Sequence, residues 1–79
     1  MFLGYEEFKR YIQANLKRNQ ESTNADRHDF ESYIRGYITL NSCIDRFIRN
    51  NDLTENIESR YFKQWLSELG YKEVERYED

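Results

Sequence analysis

Large apolar residues recur along this chain at helical steps, and three stretches of that kind set the expected architecture. In the first, Tyr5, Phe8, Ile12 and Leu16 follow one another at intervals of three or four, which lines one face of a helix. Glu6 and Glu7 sit where a first turn favours negative charge. The spacing predicts a helix over residues 5–19, with Glu6 placed to pair with Arg10 one turn on. Residues 19–26 have no apolar period and are rich in Asn, Ser, Thr and Asp, whose side chains compete for backbone hydrogen bonds. They read as a loop, with Asn24 or Asp26 as the cap of the next helix.

In the second stretch, over residues 27–50, Phe30, Tyr33, Tyr37, Leu40, Ile44 and Phe47 alternate steps of three and four, the seam of a helix packed along another. Ile34, Ile38 and Ile48 widen it, and Glu31 with Arg35 and Asp45 with Arg49 stand one turn apart. This is the expected central helix. Its weak point is residues 36–42, where Gly, Thr and Asn lower helix propensity and can split it in two. The seam is longer than two neighbouring helices plainly cover, so self-association into a homodimer through Phe30, Tyr33, Tyr37, Leu40, Ile44 and Phe47 is expected.

In the third, Asp52-Leu53-Thr54-Glu55 has the form of a capping box. Leu53, Ile57, Tyr61, Trp65 and Leu69 then step by four, flanked by Phe62 and Leu66. Gly70 is suited to the left-handed conformation that ends a helix, with Tyr71 folding back onto Leu66. Trp65 is expected as a core anchor. Residues 72–79 offer only Val74 and Tyr77 as anchors and select no one conformation. The expectation is an all-α fold, a single domain over residues 1–79, as a small three-helix bundle whose central helix can be split.

Composition sharpens this in three ways. Aromatic residues make up 16% of the 79, with seven Tyr, five Phe and one Trp, so the core or a contact surface is built from rings. A single cysteine forbids an internal disulfide and fits a reducing compartment, and no apolar run reaches membrane-spanning length. A cytoplasmic protein with no membrane partner is expected. The net charge is −3, but residues 1–50 carry eight basic and seven acidic side chains whereas residues 51–79 carry four and eight, so the two parts are +1 and −4.

Candidate chemistry is thin. His28 beside Asp29 has no companions at metal-ligand spacing and reads as a surface histidine. Cys43 has Asp45 and Arg46 close by but no second Cys or placed His, and reads as a small half-buried hydrophobe. The three glycines, at 4, 36 and 70, are isolated, so no phosphate loop is present. No enzyme, no metal and no cofactor is expected. What remains are surfaces: the basic side of helix one, with Lys9, Arg10, Gln13 and Lys17, and the polar side of helix three, with Asn56, Ser59, Arg60, Lys63 and Gln64.

Those surfaces suit a non-enzymatic protein that works through protein contacts. The Asn, Ile, Lys and Glu content is of the kind seen in accessory products of low-GC bacteria and their phages, for which an inhibitor of a host system, anti-CRISPR-like or otherwise anti-defence, is the expectation. The alternative is a DNA-binding regulator using residues 43–77: helix, turn at residues 50–52, second helix, then Gly70-Tyr71-Lys72-Glu73-Val74 as a wing. That order resembles the winged-helix ends of some phage primase and helicase proteins. The resemblance implies that helix three reads DNA, against the −4 charge of that part of the chain.

Overall fold

A computed structural model describes residues 2–71, and these contain four α-helices, α1 (Tyr5–Asn15), α2 (Gln20–Ile34), α3 (Leu40–Asn51) and α4 (Ser59–Glu68), and no strand. The all-α expectation holds, with four helices in place of three. The tail at residues 72–79 lies outside the described residues.

The first departure is at the end of α1, which stops at Asn15, four residues early. Leu16 turns extended, and the Asn19 side chain accepts a 2.7 Å hydrogen bond from the Ser22 N–H to begin α2. Capping chemistry was legible in the expected loop, but Asn19 supplies it instead of Asn24 or Asp26. Glu6, for its part, pairs with Lys9 and not with Arg10.

The second departure is the expected central helix, which splits inside its weak stretch. Gly36 adopts φ 81°, its N–H donates to the Tyr33 carbonyl, and the Tyr37 N–H donates to the Ser32 carbonyl. These two bonds close a left-handed helix end. Thr39 then accepts from the Ser42 N–H and caps α3. The chain reverses between the two helices, since Ser22 and Asp26 of α2 meet Asn50 and Asn51 of α3 while Asp29 meets Cys43 and Arg46. The alternating seam is therefore folded back on itself, with Phe30 and Phe47 facing each other at 5.7 Å. Phe30, Tyr33, Ile44 and Phe47 are buried and Leu40 is half-buried; Tyr37, at the corner, is 75% exposed. Most of the residues that motivated a dimer are used up within one chain.

The third departure is the expected capping box. Asp52 adopts the left-handed conformation at φ 52°, and its N–H and that of Leu53 donate to the Arg49 and Ile48 carbonyls. The aspartate thus ends α3 and does not start α4. Leu53 and Ile57 are buried, but as anchors of a non-helical linker. The Thr54 and Glu55 N–H groups donate to the Tyr11 hydroxyl at 3.2 and 3.3 Å, which ties this linker to α1. Only at Ser59 does α4 begin.

The core is an aromatic stack with Phe47 at its centre. Its fully buried ring lies 5.2 Å from Phe62, 5.4 Å from Trp65 and 5.7 Å from Phe30. Phe8 brings α1 in against Tyr61 and Trp65 of α4. Trp65 itself is half-buried, a wall of the core more than its centre. Phe47→Ala is expected to cost about 3–5 kcal/mol and to abolish cooperative unfolding, with Trp65→Ala losing distinctly less. Urea denaturation of both variants checks the ranking, and a larger loss at Trp65 would refute it.

Candidate functional site

A cleft of about 420 Å³ opens where three segments meet. Its floor is apolar, formed by Leu16, Phe30, Trp65, Leu69 and Tyr71. Lys17, Arg18 and Arg27 stand around it, with Thr23 and the buried Asp26 on the α2 side.

Each wall has a local cause. Thr23, Asp26, Arg27 and Phe30 fall on one side of α2 because steps of three and four share a helix face. Trp65 and Leu69 are one turn apart near the end of α4. Tyr71 is delivered by the helix end itself: Gly70 takes φ 98°, its N–H donates to the Ser67 carbonyl, and the Tyr71 N–H donates to the Leu66 carbonyl at 2.9 Å. The backbone of Tyr71 thus closes onto Leu66 as the sequence suggested, while its ring packs on Phe30 at 5.4 Å. Leu69 is 50% exposed, an apolar surface left facing the opening.

The third wall, residues 16–18, is held by a polar knot. The Asn51 side-chain oxygen accepts from the Lys17 N–H at 3.0 Å. The same side chain's amide donates to both oxygens of Asp26, at 3.1 and 2.9 Å, and to the Phe47 carbonyl. Asn50 adds donors to Asp26 at 3.1 Å and to Asp29 at 2.9 Å. Asp29 is further met by Arg46 at 3.6 Å. Burial raises the Asp26 carboxyl above its ordinary range, the Asn51 and Asn50 donors oppose that, and neighbouring Asp29 adds to it.

The remaining cations differ in how far they are compensated. Lys17 reaches the Asp52 carboxylate. Arg18 donates to the neutral Gln13 carbonyl at 3.0 Å. Arg27 is exposed and forms no ion pair among the described residues.

Of the side chains expected on the basic side of helix one, only Lys17 lines this cleft. Lys9 is occupied by Glu6, Glu68 and the Tyr5 ring. Tyr5 in turn donates to Glu68, and partial burial followed by that carboxylate drives its phenol pKa up. Arg10 borders a separate hollow of about 410 Å³ together with Glu7 and Glu55, where two carboxylates outnumber the one guanidinium. Gln13 is exposed. Asn56, Ser59, Arg60, Lys63 and Gln64 are all exposed, the first on the linker and the rest on α4. Arg60 is drawn to Glu58 at 2.8 Å and lies over the Tyr61 ring.

Two further candidates resolve simply. Cys43 is completely buried, its thiol pushed up to about 12 by burial first and then by Asp29 and Asp26, so it is a core residue and no thiolate. His28 is exposed, and the Asp29 beside it turns inward to Asn50 and Arg46 and does not orient the imidazole. No group of His, Cys, Asp and Glu among the described residues is arranged to hold a metal, and no described helix is long and apolar enough to cross a membrane. No protein family, characterised sequence or solved structure matches the chain.

The knot carries a pH signature. A carboxyl whose folded pKa is raised contributes most to stability below its unfolded pKa, and that contribution is lost as pH rises through the folded pKa. The stability of the parent relative to Asp26→Asn is therefore expected to fall from acid pH up through the carboxylate range and then level off, read from urea denaturation of both proteins across that range. A difference that grows with pH would mean that the amide donors outweigh burial. Asn51→Ala, which strips Asp26 of its closest donor, is expected to cost about 1–3 kcal/mol at neutral pH.

Proposed function

We propose that this protein is a non-catalytic binding module that takes a side chain of a protein partner into the cleft between the α1–α2 linker, α2 and the end of α4. The observation that carries this reading is the cleft floor. Leu16, Phe30, Trp65, Leu69 and Tyr71 come together from three segments and leave apolar surface facing an opening of about 420 Å³, within the range of pockets that receive ligands. Aromatic anchors with polar surroundings are the composition of protein-contact sites. For a phage or mobile-element source, the same module would act as an inhibitor by covering a surface of a host defence protein, in the manner of anti-CRISPR proteins, a reading that rests on the chain's composition.

The regulator reading draws on the exposed side of α4, where Arg60, Lys63 and Gln64 stand clear of the core. Against it, α3 and α4 are separated by residues 52–58, longer than the three- or four-residue turn of a helix-turn-helix. From Lys72 on, its wing lies outside the described residues.

The test is affinity capture from a lysate of the source or its host, beside titration of labelled duplex DNA at low and physiological salt. A stoichiometric protein partner is expected, lost in Leu69→Glu and retained in Arg60→Glu and Lys63→Glu. Duplex DNA binding is expected to be no tighter than about 10⁻⁵ M at physiological salt. Tight, sequence-dependent DNA binding that disappears in the Arg60 and Lys63 variants would sink the protein-partner reading and make α4 a recognition helix.

A further inference from the structure

We infer that the cleft selects an acidic partner segment, in which one aromatic or large aliphatic side chain enters and carboxylates beside it stay at the rim. This rests on the cleft being the protein-binding site and adds the chemistry of what it binds. The chain as a whole is acidic, at −3, yet Lys17, Arg18 and Arg27 gather around one apolar floor. Only Lys17 has a carboxylate partner there; Arg18 is spent on a neutral carbonyl, and Arg27 has no ion-pair partner among the described residues. Among the described residues, two guanidinium groups therefore border the opening with no ion-pair partner, and the one carboxylate in the lining, Asp26, is held by amides. A basic partner would be repelled by them, and a neutral one would partly desolvate them with no counter-charge in return.

The order of insertion is set by Asp26. Its buried carboxyl lines the α2 wall and is already held by the Asn50 and Asn51 amides, so a carboxylate driven onto that wall would meet another carboxylate whose donors are already engaged. The apolar group therefore goes in, onto Trp65 and Phe30, and the acids remain outside with Arg18 and Arg27. Rim charges of this kind set encounter rate and salt dependence, while the buried ring sets residence.

Trp65 lies on the floor and is the one tryptophan of the sequence, so its fluorescence reports occupancy directly. The probe is a synthetic peptide with one phenylalanine flanked on each side by two glutamates, titrated into the full chain at low and physiological salt. A saturable change in Trp65 emission is expected, abolished when serine replaces the phenylalanine. It should weaken about tenfold when glutamine replaces the glutamates, and by a similar factor in Arg27→Glu and in Arg18→Glu. Both substitutions are at exposed positions, and an unchanged circular dichroism melt confirms that each variant is folded. Equal binding of the glutamine peptide would overturn the acidic preference while leaving a protein-binding cleft. Binding of single-stranded oligonucleotide with no response to any peptide would overturn both readings. Tighter peptide binding in the full chain carrying Glu73→Gln and Glu75→Gln would assign the cleft to the chain's own C-terminal residues. Dissociation of a dimer by the peptide, seen by light scattering, would assign it to a second copy. Either of these last two results, or no response to any probe, overturns the inference.

Discussion

One buried carboxylate gathers most of this molecule around it. Asp26 lies buried in the contact between α2 and α3 and forms no ion pair among the described residues; two consecutive amides at the end of α3 donate to it instead. The arrangement propagates outward: the oxygen of Asn51 takes the Lys17 N–H, which sets the course of the chain between α1 and α2, and that linker is one wall of the cleft. Loss of one Asn51 side chain would thus loosen a helix pair, a linker and a wall of the cleft together. A hydrophobic pair at the same place would hold α2 to α3 as well, but it would not specify where the linker crosses.

The apolar elements of the fold were largely legible and the polar ones were not. The lines of Phe8 and Ile12 in α1 and of Phe62 and Leu66 in α4 read directly from spacing, and the Gly70 helix end did too, because those features are local. The alternating run from Phe30 to Phe47 is ambiguous in principle. Steps of three and four persist whether the chain continues straight or doubles back, and only the conformation available to Gly36 separates the two outcomes. At Asp52 the same residue type suits both a helix start and a left-handed helix end, and the closure onto Ile48 and Arg49 decides it.

The knot and the cleft were hidden for a different reason. Asp26, Asn50 and Asn51 look like loop and breaker residues in the sequence, and their roles exist only once segments about 25 positions apart meet. The cleft is likewise assembled from three segments, none of which is distinctive by itself. Of the surface positions singled out in the sequence, Lys17 falls within it; Arg18 and Arg27 stand at the edges of the two periodic stretches, where spacing alone gives a charge no role.

The reversal at Gly36 also divides the molecule by contact range. The two middle helices form a hairpin from residues near one another in sequence, whereas α1 and α4, which come from opposite ends of the chain, lie against each other through Phe8, Tyr61 and Trp65. Contacts of short range are cheap to form, and those joining chain ends carry the loop-closure cost. The cleft straddles this division, with Phe30 on the hairpin and Trp65, Leu69 and Tyr71 on the C-terminal segment. Anything bound there bridges the two, so occupancy and cohesion are thermodynamically linked, and a partner would act as a clasp added to the ring contacts that Phe30 and Phe47 already make with α4.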